Sequence, residues 1–565
     1  MAATSRTSWG ERVDSPLAPA APTESAKGQP MFWLRLVVLS AGVFWLLDGL
    51  NRVRLRLAFD YDLILWADDF FMTTMLKLHD GLPVYTSLRD ANSTIYGPLH
   101  SLLHHALLTP FALSTSLLAN RLLNQLWLCL MIGFAVVWVR QLSASDKRGE
   151  PVWSRRLWSA QLVVFLTLVA YINPIADSLH PVNLELCWLM LSGCVLSRND
   201  KLSIRWKFAA FALLPVAGLL TKQTAGLTIG AALSCAVLVD RSQPLLKRWL
   251  WLALPSLSLL GAGLVVNYWT EGLFWLWGFE VLSRQPFHWW KVTDFYQGYF
   301  LLFIPTLLVV IGSAFHSWRA GHEQDQAWLR SSLLVWFYIP PCFAALFKAQ
   351  GGPNNLASLG FLMAPLALAS LSRCWRRGRG PGGRVLACIG LVVIAVQCWL
   401  WRPRRRVPTA LDHQRAAAIC EYAAARMRCG ERVLIGHGSM CYSRGGVSVP
   451  LDRVNSLFEL NLAGYGERAG MHERLDREHY DLLILSIGDL QGLGAATWQR
   501  LDPHYKAFDM MKGTLKNDFW FDGWQGYASW TTGFFERRSR AGRHSLSTGG
   551  RCDTSDYALP GNFLP

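Results

Sequence analysis

Asp60, Asp62, Asp68 and Asp69 fall within ten residues, next to a long apolar run. Charge at the edge of hydrocarbon is costly, so the cluster needs a reason. A partly desolvated carboxylate beside a second one suits general-base work. The plainer reading is a set of solvated loop charges or helix-start caps, since Asp favours the first turn of a helix. Asp177, His180 and Glu185 gather at a later helix junction, where they line the same cavity or, more in keeping with their surroundings, bond structurally. His100, His104 and His105 have spacings that share a helix face. A metal site needs more ligands in a defined geometry, so a divalent ion is not indicated. Gly436-His437-Gly438 follows a short apolar run and reads as a turn rather than a phosphate loop.

The elements that must position these groups are membrane helices. The chain has 565 residues, of which 52% are hydrophobic and only 17% charged, below the roughly 25% charged residues of soluble domains. Apolar runs long enough to cross about 30 Å of hydrocarbon recur along it. About eleven are spanning candidates: Met31–Leu50, Leu122–Val139, Leu157–Ile172, Pro181–Leu196, Phe208–Leu220, Thr224–Val239, Leu250–Tyr268, Tyr299–Phe315, Leu333–Phe347, Leu356–Leu371 and Val385–Trp401. Many of the 27 Trp flank run ends, as Trp153, Trp158, Trp249 and Trp401 do, in the manner of an interfacial belt. Pro98–Leu118 carries three His and a Pro and reads as an interfacial or re-entrant segment.

If that segment does not cross, five basic connections share one side: Arg140–Arg156, Arg198–Lys207, Arg241–Arg248, Arg319–Arg330 and Arg373–Arg384. The positive-inside rule makes that side cytoplasmic. The acidic loop, Lys222, Trp269–Gln297, Lys348–Asn355 and everything after Trp401 then lie outside. Arg52–Arg56 and Arg402–Arg406 run against this pattern and are outvoted. The net charge of +16 is spread mostly over these short connections, which argues against nucleic acid as a partner. Residues 1–30 read as a polar cytoplasmic tail, 31–401 as the membrane domain with its first outer loop at 51–121, 402–540 as a small outer α/β domain, and 541–565 as a loose tail. In the outer domain the pattern predicts a helix over Asp412–Met427 and strands at Arg432–Ile435 and Tyr480–Ser486. Most of the 12 Cys sit in apolar runs; a disulfide among Cys420, Cys429, Cys441 and Cys552 is compatible with an outer location, with the pairing open.

The order of the features resembles the GT-C glycosyltransferases, multi-pass enzymes that use lipid-linked sugars and include protein O-mannosyltransferases and aminoarabinose transferases. A first apolar run is followed by Asp68-Asp69, then Gly81-Leu82-Pro83-Val84-Tyr85, then Tyr96-Gly97-Pro98-Leu99 opening a second run. In that family an acidic pair opens a helix in the first outer loop, and its first acid is commonly the catalytic base. Here the second acid is Asp where Glu is usual, and Gly97 stands where the family carries a Pro. Thr221-Lys222-Gln223 at an outer helix end and Lys348-Ala349-Gln350-Gly351-Gly352-Pro353-Asn354-Asn355 fit the same resemblance. So does the aromatic loop Gly272–Trp290 with Arg284, His288 and the following Lys291.

The resemblance implies a mainly α, polytopic helical bundle of GT-C type in a bacterial inner membrane, with its site and its small α/β domain facing the periplasm. It implies transfer of a sugar from a polyprenyl-phosphate donor to a lipid, glycan or protein acceptor, with inversion. Asp68 is then the expected base and Asp69 its assistant. Tyr96, Lys222, Gln223, Arg284, His288, Lys348, Asn354 and Asn355 are the expected donor-phosphate and substrate contacts, no cofactor is required, and membrane lipids are the remaining partners. For each cation the plainer reading is a charge that snorkels to headgroups. Three other classes stand beside this one, one of them a non-catalytic membrane scaffold that displays the C-terminal domain. A transporter or flippase of lipid-linked substrates would more often show internal repeats, and none is evident. A ligase or polymerase would use an oligosaccharide on polyprenyl diphosphate.

Overall fold

The computed structural model describes residues 47–61, 68–143, 178–239, 244–289, 297–320, 323–348, 354–377, 407–436, 438–450, 453–477, 479–486, 503–511 and 532–537, with a few isolated positions. The predicted spans Leu157–Ile172 and Val385–Trp401, most of Met31–Leu50, the tails, Asp62, Asp177, Lys291, Ala349–Pro353, His437 and Cys552 lie outside these residues.

The chain is mainly helical. After α1 (Asp68–His79) come α2 (Leu99–Leu108), α3 (Leu117–Ser143), α4 (Val182–Ser197), α5 (Ile204–Thr221), α6 (Gln223–Val239) and α7 (Leu245–Trp269). Three short helical pieces cover Leu273–Trp275, Leu276–Glu280 and Val281–Arg284, followed by α8 (Gln297–Ala320), α9 (Glu323–Phe347) and α10 (Asn354–Arg377). Among the described residues, four stretches are long and apolar enough to cross a membrane: Leu117–Ser143, Ile204–Thr221, Arg248–Trp269 and Asp325–Phe347. Shorter apolar helices at Val182–Ser197, Gln223–Leu238 and Ser358–Arg373 pack among them. The ambiguous Pro98–Leu118 run forms the ten residues of α2, a 3-10 turn and the first two residues of α3. At 1.5 Å per residue α2 is about 15 Å long, half a hydrocarbon thickness.

Glycine decides how closely three of these elements meet. A Cβ on Gly193 of α4 would lie 2.5 Å from the Trp138 indole of α3. A Cβ on Gly226 would lie 2.5 Å from the Leu219 backbone, so α5 and α6 touch backbone to backbone across their hairpin. One extended residue, Lys222 (ψ 129°), separates those two helices. Gly97 is tighter still, for a Cβ there would fall 2.1 Å from the Leu220 carbonyl oxygen. The Tyr96-Gly97-Pro98 turn can therefore sit against the end of α5 only without a side chain at 97.

The C-terminal domain, called the outer domain after the side that the sequence assigns to it, contains α11 (Ala410–Arg428), β1 (Val433–Ile435), α12 (Ser439–Gly445), α13 (Val454–Leu462), α14 (Met471–Asp476), β2 (Leu482–Ser486), β3 (Tyr505–Met511) and β4 (Thr532–Arg537). The helix and both strands expected from the sequence are present, within two residues at each end. Thr409 and Asp412 close a capping box at the start of α11. The sheet order is β1-β2-β4-β3, with β1 and β2 parallel and the other pairs antiparallel. A disulfide joins Cys420 of α11 to Cys441 of α12.

Candidate functional site

The up-and-down course of the helices brings the start of α3 and α4, the α5–α6 hairpin, the end of α9 and the start of α10 to one end of the bundle. The other end carries the Arg373–Asp325 ion pair (3.0 Å), where Arg373 also reaches the Leu142 carbonyl near the end of α3. The polar residues of interest therefore collect at the end opposite the basic connections.

At the centre of that end is Lys222. Its ammonium donates to Glu185 Oε2 at 2.9 Å and to Asn355 Oδ1 at 3.1 Å. Glu185 Oε1 accepts from the Tyr338 hydroxyl at 3.0 Å and from Thr224 at 3.2 Å. Glu185 is fully buried and Lys222 nearly so. A buried pair of this kind is tolerable only because further hydrogen bonds satisfy the remaining lone pairs. Next to it Tyr96 stands in a ring of aromatic neighbours, with Phe71 at 5.7 Å, Phe70 at 6.2 Å and His180 at 5.3 Å between centroids. The Tyr96 hydroxyl and His180 Nε2 are 3.2 Å apart.

Asp68 and Asp69 are adjacent in sequence but serve different partners. Asp68 takes the Arg121 guanidinium on both oxygens, at 2.8 and 3.3 Å, and the Leu179 N–H at 2.9 Å. Arg121 also donates to the carbonyls of Phe59 and, at 2.6 Å, Tyr61. Asp69 accepts from the Gly438 N–H at 3.0 Å, from the Ser439 N–H, and from Arg453 at 3.3 Å. Asp68 thus fastens α1 to α3, and Asp69 fastens α1 to the outer domain. Each of the two carboxylates meets its own cation, Arg121 for Asp68 and Arg453 for Asp69.

The other expected residues divide into three groups. Gln223 spends both amide hydrogens on the carbonyls of Ile95 (2.9 Å) and Gly278 (3.0 Å), so it clamps the outer loop to the aromatic loop. Asn355 sits on Lys222 as described, while Asn354 contributes the first residue of α10. Lys348 donates to the Leu282 carbonyl, and the strand-like bridge Phe287–Lys348 and the His288 N–H to Phe347 carbonyl bond (2.8 Å) hold the aromatic loop to the end of α9. Arg284 is exposed, paired with Glu280 at 3.0 Å and stacked over Tyr465 at 4.8 Å. It belongs to the rim between the aromatic loop and the outer domain.

Four residues that matter here were not singled out from the sequence. Arg121 lies one residue ahead of the predicted span, in Asn120-Arg121-Leu122-Leu123-Asn124. A guanidinium in an apolar run was the available signal. Tyr338 lay unmarked within a predicted apolar run. Arg453 and Glu459 come from α13 and its approach, more than 170 residues from their contacts at Asp69 and Gln285. No local pattern could have paired them. Glu459 accepts from Gln285, and burial pushes its carboxyl up to about 8, against the nearby Lys348 and the Gln285 bond, which lower it. A group whose folded pKa is raised adds stability below its unfolded value of 4.5 and loses it as pH rises through about 8. Glu459→Gln keeps an acceptor for Gln285 but does not titrate. Wild type should therefore lose melting temperature relative to Glu459→Gln between pH 5 and pH 9 in detergent; parallel curves would show that Glu459 does not carry this effect.

Neither a protein-family profile nor a curated protein matches the chain by sequence. Solved structures do resemble it. ArnT from Cupriavidus metallidurans in the apo state aligns with TM-score 0.48 and 14% identity over 91% of this chain and 98% of that one. The same protein bound to undecaprenyl phosphate gives 0.47 and 15% over 87% and 97%. The oligosaccharyltransferase AglB from Archaeoglobus fulgidus, with an inhibitory peptide and a dolichol-phosphate, gives 0.48 and 11% over 81% and 70%. At these identities the likeness concerns the course of the chain and says nothing of individual side chains.

Proposed function

We propose that the chain is a multi-pass membrane glycosyltransferase that moves a sugar from a polyprenyl-phosphate donor to an acceptor outside the cytoplasm. The observation that carries this reading is the buried Lys222–Glu185–Tyr338–Asn355 cluster at the outer helix ends, with the partly buried Tyr96 close to Glu185 and the outer domain docked beside it through Asp69. An ammonium in a water-poor site, with a tyrosine hydroxyl beside it, suits the phosphate of a donor whose prenyl chain stays in the bilayer. Two of the three Lys222 N–H bonds go to Glu185 and Asn355, and the third is the one for a phosphate oxygen. The Cys420–Cys441 disulfide supports an oxidising, extracytoplasmic side for the outer domain.

In the reaction the acceptor hydroxyl gives its proton to a carboxylate, its oxygen bonds to the anomeric carbon, and the bond from that carbon to the phosphate oxygen breaks. The departing phosphate keeps the electron pair and is stabilised by Lys222. Asp68 is the proposed base. Asp69 keeps the outer domain seated. Asp68→Asn retains an oxygen for the Leu179 N–H and Arg121, so the protein should fold. In proteoliposomes given polyprenyl-phosphate sugars, this variant should lose sugar transfer by at least ~100-fold, the lower range for a lost general base. Transfer at the wild-type rate would make Asp68 an anchor and nothing more.

A further inference from the structure

The hydrogen bonds around His180 fix more than its position. The Val182 N–H donates to His180 Nδ1 at 3.2 Å. That ring nitrogen is therefore an acceptor and carries no proton, and a neutral imidazole then has its proton on Nε2. Nε2 faces the Tyr96 hydroxyl at 3.2 Å. His180 is accordingly the donor of that bond and the Tyr96 oxygen the acceptor. The phenolic proton must point somewhere else, and among the described residues no acceptor takes it. Tyr96 is only partly buried, its ring is held edge-on by Phe70 and His180, and Gly97 presses the turn that carries it against Leu220 beside Lys222.

From this geometry we infer that His180 is a positioning residue: it locks Tyr96 as a hydrogen-bond donor aimed at the oxygen that leaves with the donor phosphate. The inference rests on the proposed phosphate site and adds a second donor to it. His180 touches no substrate. It accepts from the α4 backbone at one nitrogen and donates to Tyr96 at the other, so its work is to deny the Tyr96 proton any resting place inside the protein. A donor whose proton is already aimed needs no reorientation as charge builds on the leaving oxygen, which is where preorganised donors gain their effect. Burial in the aromatic ring and the positive charge of Lys222 hold the imidazole of His180 well below its usual range, which keeps it neutral and in this tautomer.

The test compares His180→Phe, His180→Gln, Tyr96→Phe and the His180→Phe/Tyr96→Phe double variant in proteoliposomes. The probes are undecaprenyl-phosphate glucose, mannose and aminoarabinose, each labelled in the sugar, and the wild type first identifies which of them is used. Tyr96→Phe should lower kcat by ~100- to 1,000-fold with KM for the donor changed less than threefold, the scale of one lost donor to a developing anion. His180→Phe should lower kcat by a similar factor, and the double variant should fall no further. His180→Gln, whose amide N–H can still donate to Tyr96, should recover most of the rate. Additive losses in the double variant, or a His180→Gln protein as slow as His180→Phe, would overturn the inference. So would a His180→Phe protein as fast as wild type. If wild type itself transfers none of the three sugars but binds undecaprenyl phosphate, Tyr96→Phe should still weaken that binding, and unchanged binding would overturn it. A wild type that neither transfers nor binds would instead remove the function on which the inference rests.

Discussion

Arg121→Met should be the most destabilising single substitution at the outer end of the bundle, costing about 3–5 kcal/mol, the scale for removing one partner of a buried ion pair. The change strands the Asp68 carboxylate, 1% exposed, without its cation. It also leaves the Phe59 and Tyr61 carbonyls without the donor that gathers the chain ahead of α1. Adding Asp68→Asn removes the stranded charge and should return a good part of the loss. The pair would then show a coupling of ~1–3 kcal/mol in a double-mutant cycle. Thermal unfolding in detergent of the four proteins measures this. Equal and additive effects would mean that the two side chains do not depend on each other.

The second large effect concerns Lys222. Lys222→Met alone leaves Glu185 buried and unpaired, and it should both destabilise the protein and abolish function, which says little about mechanism. Lys222→Met combined with Glu185→Gln removes both charges. The amide introduced by Glu185→Gln would keep an oxygen for Tyr338 and Thr224, which now bond to Glu185 Oε1. This double variant should fold near wild-type stability, because exchanging a buried ion pair for neutral groups of similar size is often close to neutral. It should still bind undecaprenyl phosphate ~10- to 150-fold more weakly, the equivalent of the ~1.5–3 kcal/mol of a charge-assisted hydrogen bond. A folded double variant that binds undecaprenyl phosphate as the wild type does would move the phosphate site away from Lys222.

Much of the scaffold was legible in the sequence because membrane helices announce themselves by length and apolarity. Eight of the predicted spans coincide with described helices, among them α3, α7 and α9. The basic connections also put Lys222, Glu185 and the acidic loop on one side, and the structure brings those residues to one end. The two later strands of the outer domain were missed because β3 and β4 find their register only against each other and β2, across long connections. The site was legible as a list of polar residues near outer helix ends, but their partners were not. Asp68-Asp69 looked like one functional unit because adjacency is all that a sequence shows. On a helix, neighbouring residues project about 100° apart, and here one meets α3 and the other the outer domain. Gln223 and Gly97 read as substrate or motif residues, whereas their geometry is that of close packing between loops and helix ends.

The most direct test of the account is to reconstitute the purified protein in vesicles with a polyprenyl-phosphate sugar labelled in the sugar, add candidate acceptors, and follow both the label and the lipid. The account predicts that label moves to an acceptor while free polyprenyl phosphate appears in equal amount, with both lost in Lys222→Met/Glu185→Gln. Intact donor carried from one leaflet to the other, with its sugar–phosphate bond unbroken, would contradict it and identify a lipid transporter instead.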